Sequence, residues 1–229
     1  MGVHADIDAV EFFFDPMCPW AYQTSRWIRA VRATTGLTID WRFFSLEEIN
    51  RVEGKKHPWE RDFAYGWTPM RVGAWLRRID PWLLDSWYEV CGRALFDEGR
   101  RPYDTDVRAE LLAEIGAPAS GWDDAIADPT THDDVRADHE RAVNDFGGFG
   151  VPIIVFPWGG AVFGPCAAPA PVSGDAVGAL WDLTVAYARV EHLYELKTPK
   201  TLAAQRDIAK LFSPYLQARE WRTIQNPAP

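Results

Sequence analysis

The sequence predicts an α/β fold of order βαβ…ββα, with a large all-helical insertion between its two halves. Three observations carry this. Short apolar runs of strand length lie near Val10 and Leu37 and again near Ile154. A helix-period stretch accompanies each set of strands. Between the two sets, from about Glu47 to Asn144, apolar residues recur three or four apart, as in helices.

The elements follow in order. "AVEFFFD" (Ala9 to Asp15) is a short aromatic run that stops at Pro16, which has no N–H to give a ladder. Beyond Cys18, apolar Trp20, Trp27, Ile28 and Val31 keep helical spacing. Arg26, Arg29 and Arg32 load the end where the helix dipole favours cations, and Gly36 ends the helix. "LTIDWRFF" then alternates, with Leu37, Ile39, Trp41 and Phe43 on one face of a half-buried strand. Cys18 therefore sits at the first strand-to-helix turn. In the insertion, "TPMRVGAWLRRI", "WLLDSWYEVCGRALF" and "VRAELLAEIG" read as helices broken at Pro69, Pro81, Pro102 and Pro118. A mostly polar helix near Asp133 to Asn144 ends at "FGGFG". Ile153 to Phe156 reads as a buried strand, Pro157 to Gly160 as a turn that pairs Phe156 with Ala161, and Ala161 to Phe163 as the return strand. Gly174 to Val190 is the last helix of this half, with Ala176, Leu180, Leu183 and Tyr187 along one side. The expected organisation is 1–46 with 147–200 as one α/β domain, 47–146 as the helical insertion, and 201–229 as a C-terminal extension.

Composition narrows the function. A net charge of -9 and a pI near 5.0 argue against nucleic acid, which needs a concentrated basic face. No apolar run approaches the roughly 20 residues of a membrane span. "MGVHADIDAVEFFFDP" lacks the basic start and apolar stretch of a signal peptide, and 3 separated cysteines make no disulfide framework. A reducing, cytoplasmic setting is expected, where a cysteine in a special place is more often chemical than structural. The 12 tryptophans point to aromatic pockets as well as core.

Cys18 is that special residue. With Cys18 as helix N-cap, Pro19 takes the first helical position, where its missing N–H costs nothing. The free N–H groups of Trp20 and Ala21 then face the sulfur and, with the helix dipole, favour the thiolate. In a βαβ…ββα fold, the proline before the third strand lies beside this helix start. Here that is Pro152, and a cis Val151–Pro152 bond would turn the Val151 backbone toward Cys18 to pair with a bound strand.

These residues resemble the DsbA-like branch of the thioredoxin superfamily, and most closely its cytoplasmic mycothiol-dependent nitroreductase-like group. The resemblance covers roughly Val10 to Lys197 and rests on "FFFDPMCPWAYQTSRWI", "VFGP" and "ALWDLTVAYARVEHLYELK". It implies a thiol-dependent oxidoreductase with Cys18 as nucleophile, flanked by Pro19, Trp20 and Ala21 and opposed by Val151 and cis Pro152. It also implies Asn50, Trp59 and Trp67 as substrate-pocket residues between fold and insertion. No tightly bound cofactor or metal is expected. The co-substrate would be a low-molecular-weight thiol, mycothiol or glutathione, exchanging with a small or peptide disulfide; a homodimer is left open.

The chain departs from its group in one place. Relatives carry Cys-Pro-Trp-Cys, and here the fourth residue is Ala21. A second thiol molecule could resolve a mixed disulfide on Cys18 instead. Cys166 could also resolve it, but its strand should lie two strand spacings away, roughly 9–10 Å, beyond the reach of a disulfide. A third reading drops redox chemistry: a thiol-binding isomerase or transferase of the chromene-carboxylate isomerase and kappa-transferase type, or a silent binding module. Cys91 reads as core, His132 and His139 as a solvated polar face rather than metal ligands, and His57 as a loop residue.

Overall fold

A computed structural model describes residues 7–218 of the chain. Residues 1–6 and 219–229, which the expected domain boundaries include, lie outside them. The first unit is β1 (Ala9–Phe14), α1 (Pro19–Thr35) and β2 (Thr38–Phe43). Phe12, Phe13 and Phe14 of β1 are all within 2% of complete burial, each burial contributing roughly 1.5–3 kcal/mol. β1 runs parallel to β2 with Phe14 opposite Phe43. A parallel pair needs a crossover, and α1 supplies it. Gly36 closes α1 in the left-handed region at φ +79°, where a side chain would be strained.

The insertion holds α2 (Leu46–Ile49), a 3-10 turn (Pro58–Glu60), α3 (Trp67–Ile79), α4 (Pro81–Gly92), a π-helical turn (Arg93–Asp97), α5 (Thr105–Glu114), α6 (Gly121–Ala127) and α7 (Thr131–Phe146). Pro81 is the first residue of α4, as a proline prefers. Pro69, however, does not break a helix. It occupies the third position of α3, within the first turn, where backbone N–H groups have no partner to lose. Val72, Leu76, Trp87, Cys91, Leu111 and Trp122 form a core of the insertion's own. Arg71, 7% exposed, donates to the carbonyls of Ala125, Ile126 and Asp128, closing the end of α6.

The chain then returns as β3 (Ile153–Val155), β4 (Ala161–Phe163) and α8 (Asp175–Arg189), followed by α9 (Leu202–Leu211) and α10 (Ser213–Ala218). The sheet order is β2-β1-β3-β4, with β3 antiparallel to both neighbours. The hairpin is one residue out from the sequence expectation. Val155, not Phe156, faces Ala161, because Phe156 N–H is spent on the Gly160 carbonyl at the turn. The buried face of α8 is also displaced. It carries Val177, Trp181, Thr184 and Val185, while Leu183 is 53% exposed. Trp181 sets that face by packing on Trp27 and Phe156, and the Trp27 indole donates to the Val177 carbonyl at 3.1 Å.

Two buried carboxylates tie the insertion to the sheet and to α1. Asp138 of α7 pairs with Arg77 of α3 at 2.6 Å and with Arg42 of β2 at 3.5 Å, and accepts the Phe43 N–H at 3.2 Å. Asp85 of α4 pairs with Arg29 at 2.7 Å and with Arg32, both on α1. His139 lies beside Asp138 at 5% exposure, and its Nδ1 accepts the Ser45 N–H at 3.2 Å. Burial lowers its pKa to about 4. The polar face expected to be solvated is thus an inter-unit seam, because β2 needs partners there for its own N–H groups.

Candidate active site

β1 delivers its chain to a tight turn that Asp15 builds. The Asp15 carbonyl accepts Cys18 N–H at 3.0 Å. Its carboxyl accepts Met17 N–H at 2.8 Å and Leu46 N–H at 2.7 Å. One fully buried side chain therefore fixes both the start of the motif and the start of the insertion. Gly66 closes over it, and a Cβ there would stand 2.8 Å from Asp15 Oδ1. Glu47 is the second buried acid of this junction, accepting Gly66 and Trp67 N–H groups at 3.1 and 3.2 Å and facing Arg61 at 3.5 Å.

Cys18 is the N-cap of α1, with Pro19 following. Ala21 N–H donates to Cys18 Sγ at 3.4 Å, and Sγ donates to the Val151 carbonyl at 3.6 Å across the fold. The Val151–Pro152 peptide is cis. Ala21 is fully buried, and Val151 is 3% exposed. Beside the motif, the Trp20 ring meets Phe212 edge-on at 5.3 Å, and Lys200 Nζ lies 5.7 Å from its centroid.

The electrostatics differ from the expected thiolate. Burial at 6% exposure pushes the Cys18 thiol up to about 12. The Ala21 and Trp20 N–H groups pull the other way, as a helix start should, while the charges of Asp15 and Cys166 add to the rise. Desolvation wins. Asp15 is itself raised to about 7, by burial first and also by the Glu47 charge, against the pull of its two N–H donors. Tyr88, stacked on Phe14 at 3.7 Å, is pushed well up by burial and by the field of Cys18.

The remaining sequence candidates lie apart from the sulfur's own contacts. Asn50 is exposed, and its amide donates to the Leu46 carbonyl of its own helix at 2.9 Å. Trp59 stacks on His57 at 4.3 Å and leans on Trp67 at 5.2 Å. Trp67 is 1% exposed and donates to His132 Nδ1 at 2.9 Å. The four rings make a continuous aromatic ladder along the insertion. Among the described residues, no group of three or more His, Cys, Asp or Glu could hold a metal ion. Two surface grooves of about 570 and 460 Å3 run along the C-terminal segment, and neither is lined by Cys18, Trp20 or Val151.

Sequence reasoning missed Asp15, Glu47 and Lys200. An acid closing an apolar strand directly before the motif was the available signal for Asp15. Nothing local to Lys200 points to Trp20.

Three comparisons bear on this site. Residues 17–198 match the model of the Rv2466c-like family, described as mycothiol-dependent nitroreductase Rv2466c. The uncharacterized protein Rv2286c of Mycobacterium tuberculosis is 53% identical over 215 residues, 94% of this chain and 92% of the relative. Among solved structures, the cytosolic disulfide reductase DsbM of Pseudomonas aeruginosa with GSH is similar at a TM-score of 0.55 and 20% identity, covering 78% of this chain and 99% of that one. A 2-hydroxychromene-2-carboxylate isomerase is similar at 0.57 and 16% identity, covering 79% and 95%. The fold is the DsbA-like thioredoxin fold with its helical insertion.

Proposed function

The chain belongs to the Rv2466c-like family, described as mycothiol-dependent nitroreductase Rv2466c, and from that premise we propose that it is a thiol-dependent oxidoreductase whose nucleophile is Cys18. The observation that carries this is the placing of one sulfur between the Ala21 N–H and the Val151 carbonyl, at the N-terminus of α1. Cys18 attacks the disulfide of mycothiol or glutathione: a bond forms between Cys18 Sγ and one half, the original S–S bond breaks, and the other half departs as a thiol. Pro19, Trp20 and Ala21 shape one side of the sulfur, and Val151 with Pro152 the other. On the insertion's side Asn50 and Trp59 face substrate, and the buried Trp67 supports Trp59 from behind. Two thiols oxidised to one disulfide release two electrons, and the family description points to nitro compounds as one class that takes them.

The high thiol pKa sets a condition. In the closed structure Cys18 is a protonated thiol near neutral pH, so attack follows opening of the site or transfer of its proton. The same burial favours a second reading, in which the pocket holds a thiol adduct for isomerisation or transfer without redox exchange. One experiment separates the two. After incubation with oxidised mycothiol or glutathione at pH 7.5, peptide mapping should find Cys18 in a disulfide that excess thiol reverses, and Cys18→Ser should be inert. A Cys18 left as free thiol in the wild type would overturn the redox reading.

A further inference from the structure

Position 21 carries no thiol, so a resolving thiol from this chain would have to come from one of its other cysteines. Three cysteines are present. Cys91 is 1% exposed in the insertion's separate core, so the candidate is Cys166, the exposed one.

The strand-spacing argument against Cys166 holds for β4 but not for the loop that follows it. β4 ends at Phe163 on the sheet edge, one place beyond β3. Gly164 then turns the chain at φ +111°, a conformation that needs glycine, while its N–H still reaches the Pro152 carbonyl at 2.9 Å. At the next residue the chain is already on α1, where Thr24 Oγ1 donates to the Pro165 carbonyl at 2.7 Å. Farther along, Ala170 N–H donates to Gln23 Oε1 at 3.1 Å. Cys166 lies between these two anchors, on a loop drawn back across the first turns of the helix that Cys18 caps. Its sulfur is folded toward Gly164, 4.0 Å from where a Cβ would stand there. Gly164 itself is tied through its N–H to the carbonyl of Pro152, whose neighbour Val151 accepts from Cys18 Sγ.

We propose that Cys166 is the resolving cysteine: it attacks the mixed disulfide on Cys18 and closes an internal Cys18–Cys166 disulfide. This rests on Cys18 being the thiol-exchange nucleophile. In the step, the Cys166 thiolate forms a bond to Cys18 sulfur, the Cys18–thiol bond breaks, and the displaced thiolate takes a proton. Two further molecules of the small thiol then reduce the internal disulfide and leave as their own disulfide, so electrons balance. A disulfide needs Cα atoms within about 4.4–6.8 Å, and the final approach is made by residues 166–169, which carry no strand or helix bonds. The fields already meet. A charge on Cys166 acts on Cys18, and Lys200 offsets the burial that raises the Cys166 thiol.

The test uses the full chain and glutathione disulfide as probe, comparing wild type with Cys166→Ser. Wild type should release two glutathiones per chain, retain none, and show a Cys18–Cys166 linked peptide under non-reducing conditions. Cys166→Ser should release one and retain one on Cys18. If wild type instead retains one glutathione on Cys18 as the variant does, the resolving role is overturned and thiol exchange at Cys18 stands. If neither protein releases glutathione, both ideas fall. Because Cys166 is exposed, the variant is expected to fold, and an unchanged near-UV spectrum checks it.

Discussion

At the scale of single residues, burial at the start of α1 raises both the Asp15 carboxyl and the Cys18 thiol, so each resists ionisation. A carboxyl raised from 3.8 to about 7 holds more protons when folded than unfolded between those values. Its contribution to stability therefore falls as pH rises from about 4 to about 7, then levels. Asp15→Asn removes that slope, so its stability relative to wild type should improve between pH 4.5 and pH 8, by up to about 3 kcal/mol. Urea melts at the two pH values measure it, and an unchanged difference would refute the shift. His139 slopes oppositely, gaining from about 4 up to its ordinary 6.5, but it is common to both proteins and cancels. Ala21 gives a second prediction. In a Cys166→Ser background, Ala21→Cys should restore an internal disulfide and release the bound glutathione, because residue 21 already places its backbone N–H on Cys18 Sγ. Intact mass after glutathione disulfide shows it, and a persistent adduct counts against the geometry. Cys18, Val151 and Pro152 were legible in sequence because a helix start and a strand start announce themselves locally. Asp15 was not, since its work is done on Leu46 N–H, far along the chain.

The seams that join elements are made of buried ion pairs, and those were the hardest to read. Strand and helix periods came through clearly: β1, α1 and β2 follow the alternation and spacing of their own residues. What period cannot supply is which side chain wins where two faces compete. On α8 the bulk of Trp181 turned the core face one residue from the expected stripe. At Asp138 and His139, polar residues on a polar helix are inside because the N–H groups of Phe43, at the end of β2, and of Ser45, just beyond it, need acceptors there. Asp85 shows how much such a seam matters. Its side chain is 4% exposed and faces Arg29 and Arg32 from across α1 and α4. Asp85→Ala leaves two guanidinium groups without their partner, and a loss of about 3–5 kcal/mol is expected. Asp134, 30% exposed against Arg78, should lose less than about 1 kcal/mol on the same change. Chemical denaturation of the two variants decides it; equal losses would show that burial does not govern these pairs.

Across the whole molecule, the C-terminal segment folds back onto the first turn of α1, at Trp20 and Tyr22. The sequence marks this stretch only as a C-terminal extension, because docking partners leave no periodic trace. In the structure, Phe212 meets Trp20, Tyr215 joins Phe96 and Tyr22, Met17 packs on the same cluster, and Arg101 Nε donates to the Ala218 carbonyl. Phe212 is 8% exposed although no residue of α9 is buried, so one aromatic contact does much of the holding beside the motif. Cys18 is 6% exposed, and if this segment guards it, its reaction rate will follow the population of states in which the segment has lifted. An aromatic pair contributes about 0.5–1.5 kcal/mol beyond its buried area. Phe212→Ala should therefore raise the rate of Cys18 alkylation by iodoacetamide at pH 8 by about tenfold, the change that ~1.4 kcal/mol makes. Leu202→Ala, at a side chain 72% exposed on the same segment, should leave the rate unchanged. Peptide-resolved alkylation follows both variants. Equal rates for Phe212→Ala and wild type would mean that the sulfur is reached by another path, and that the segment packs on Trp20 without guarding Cys18.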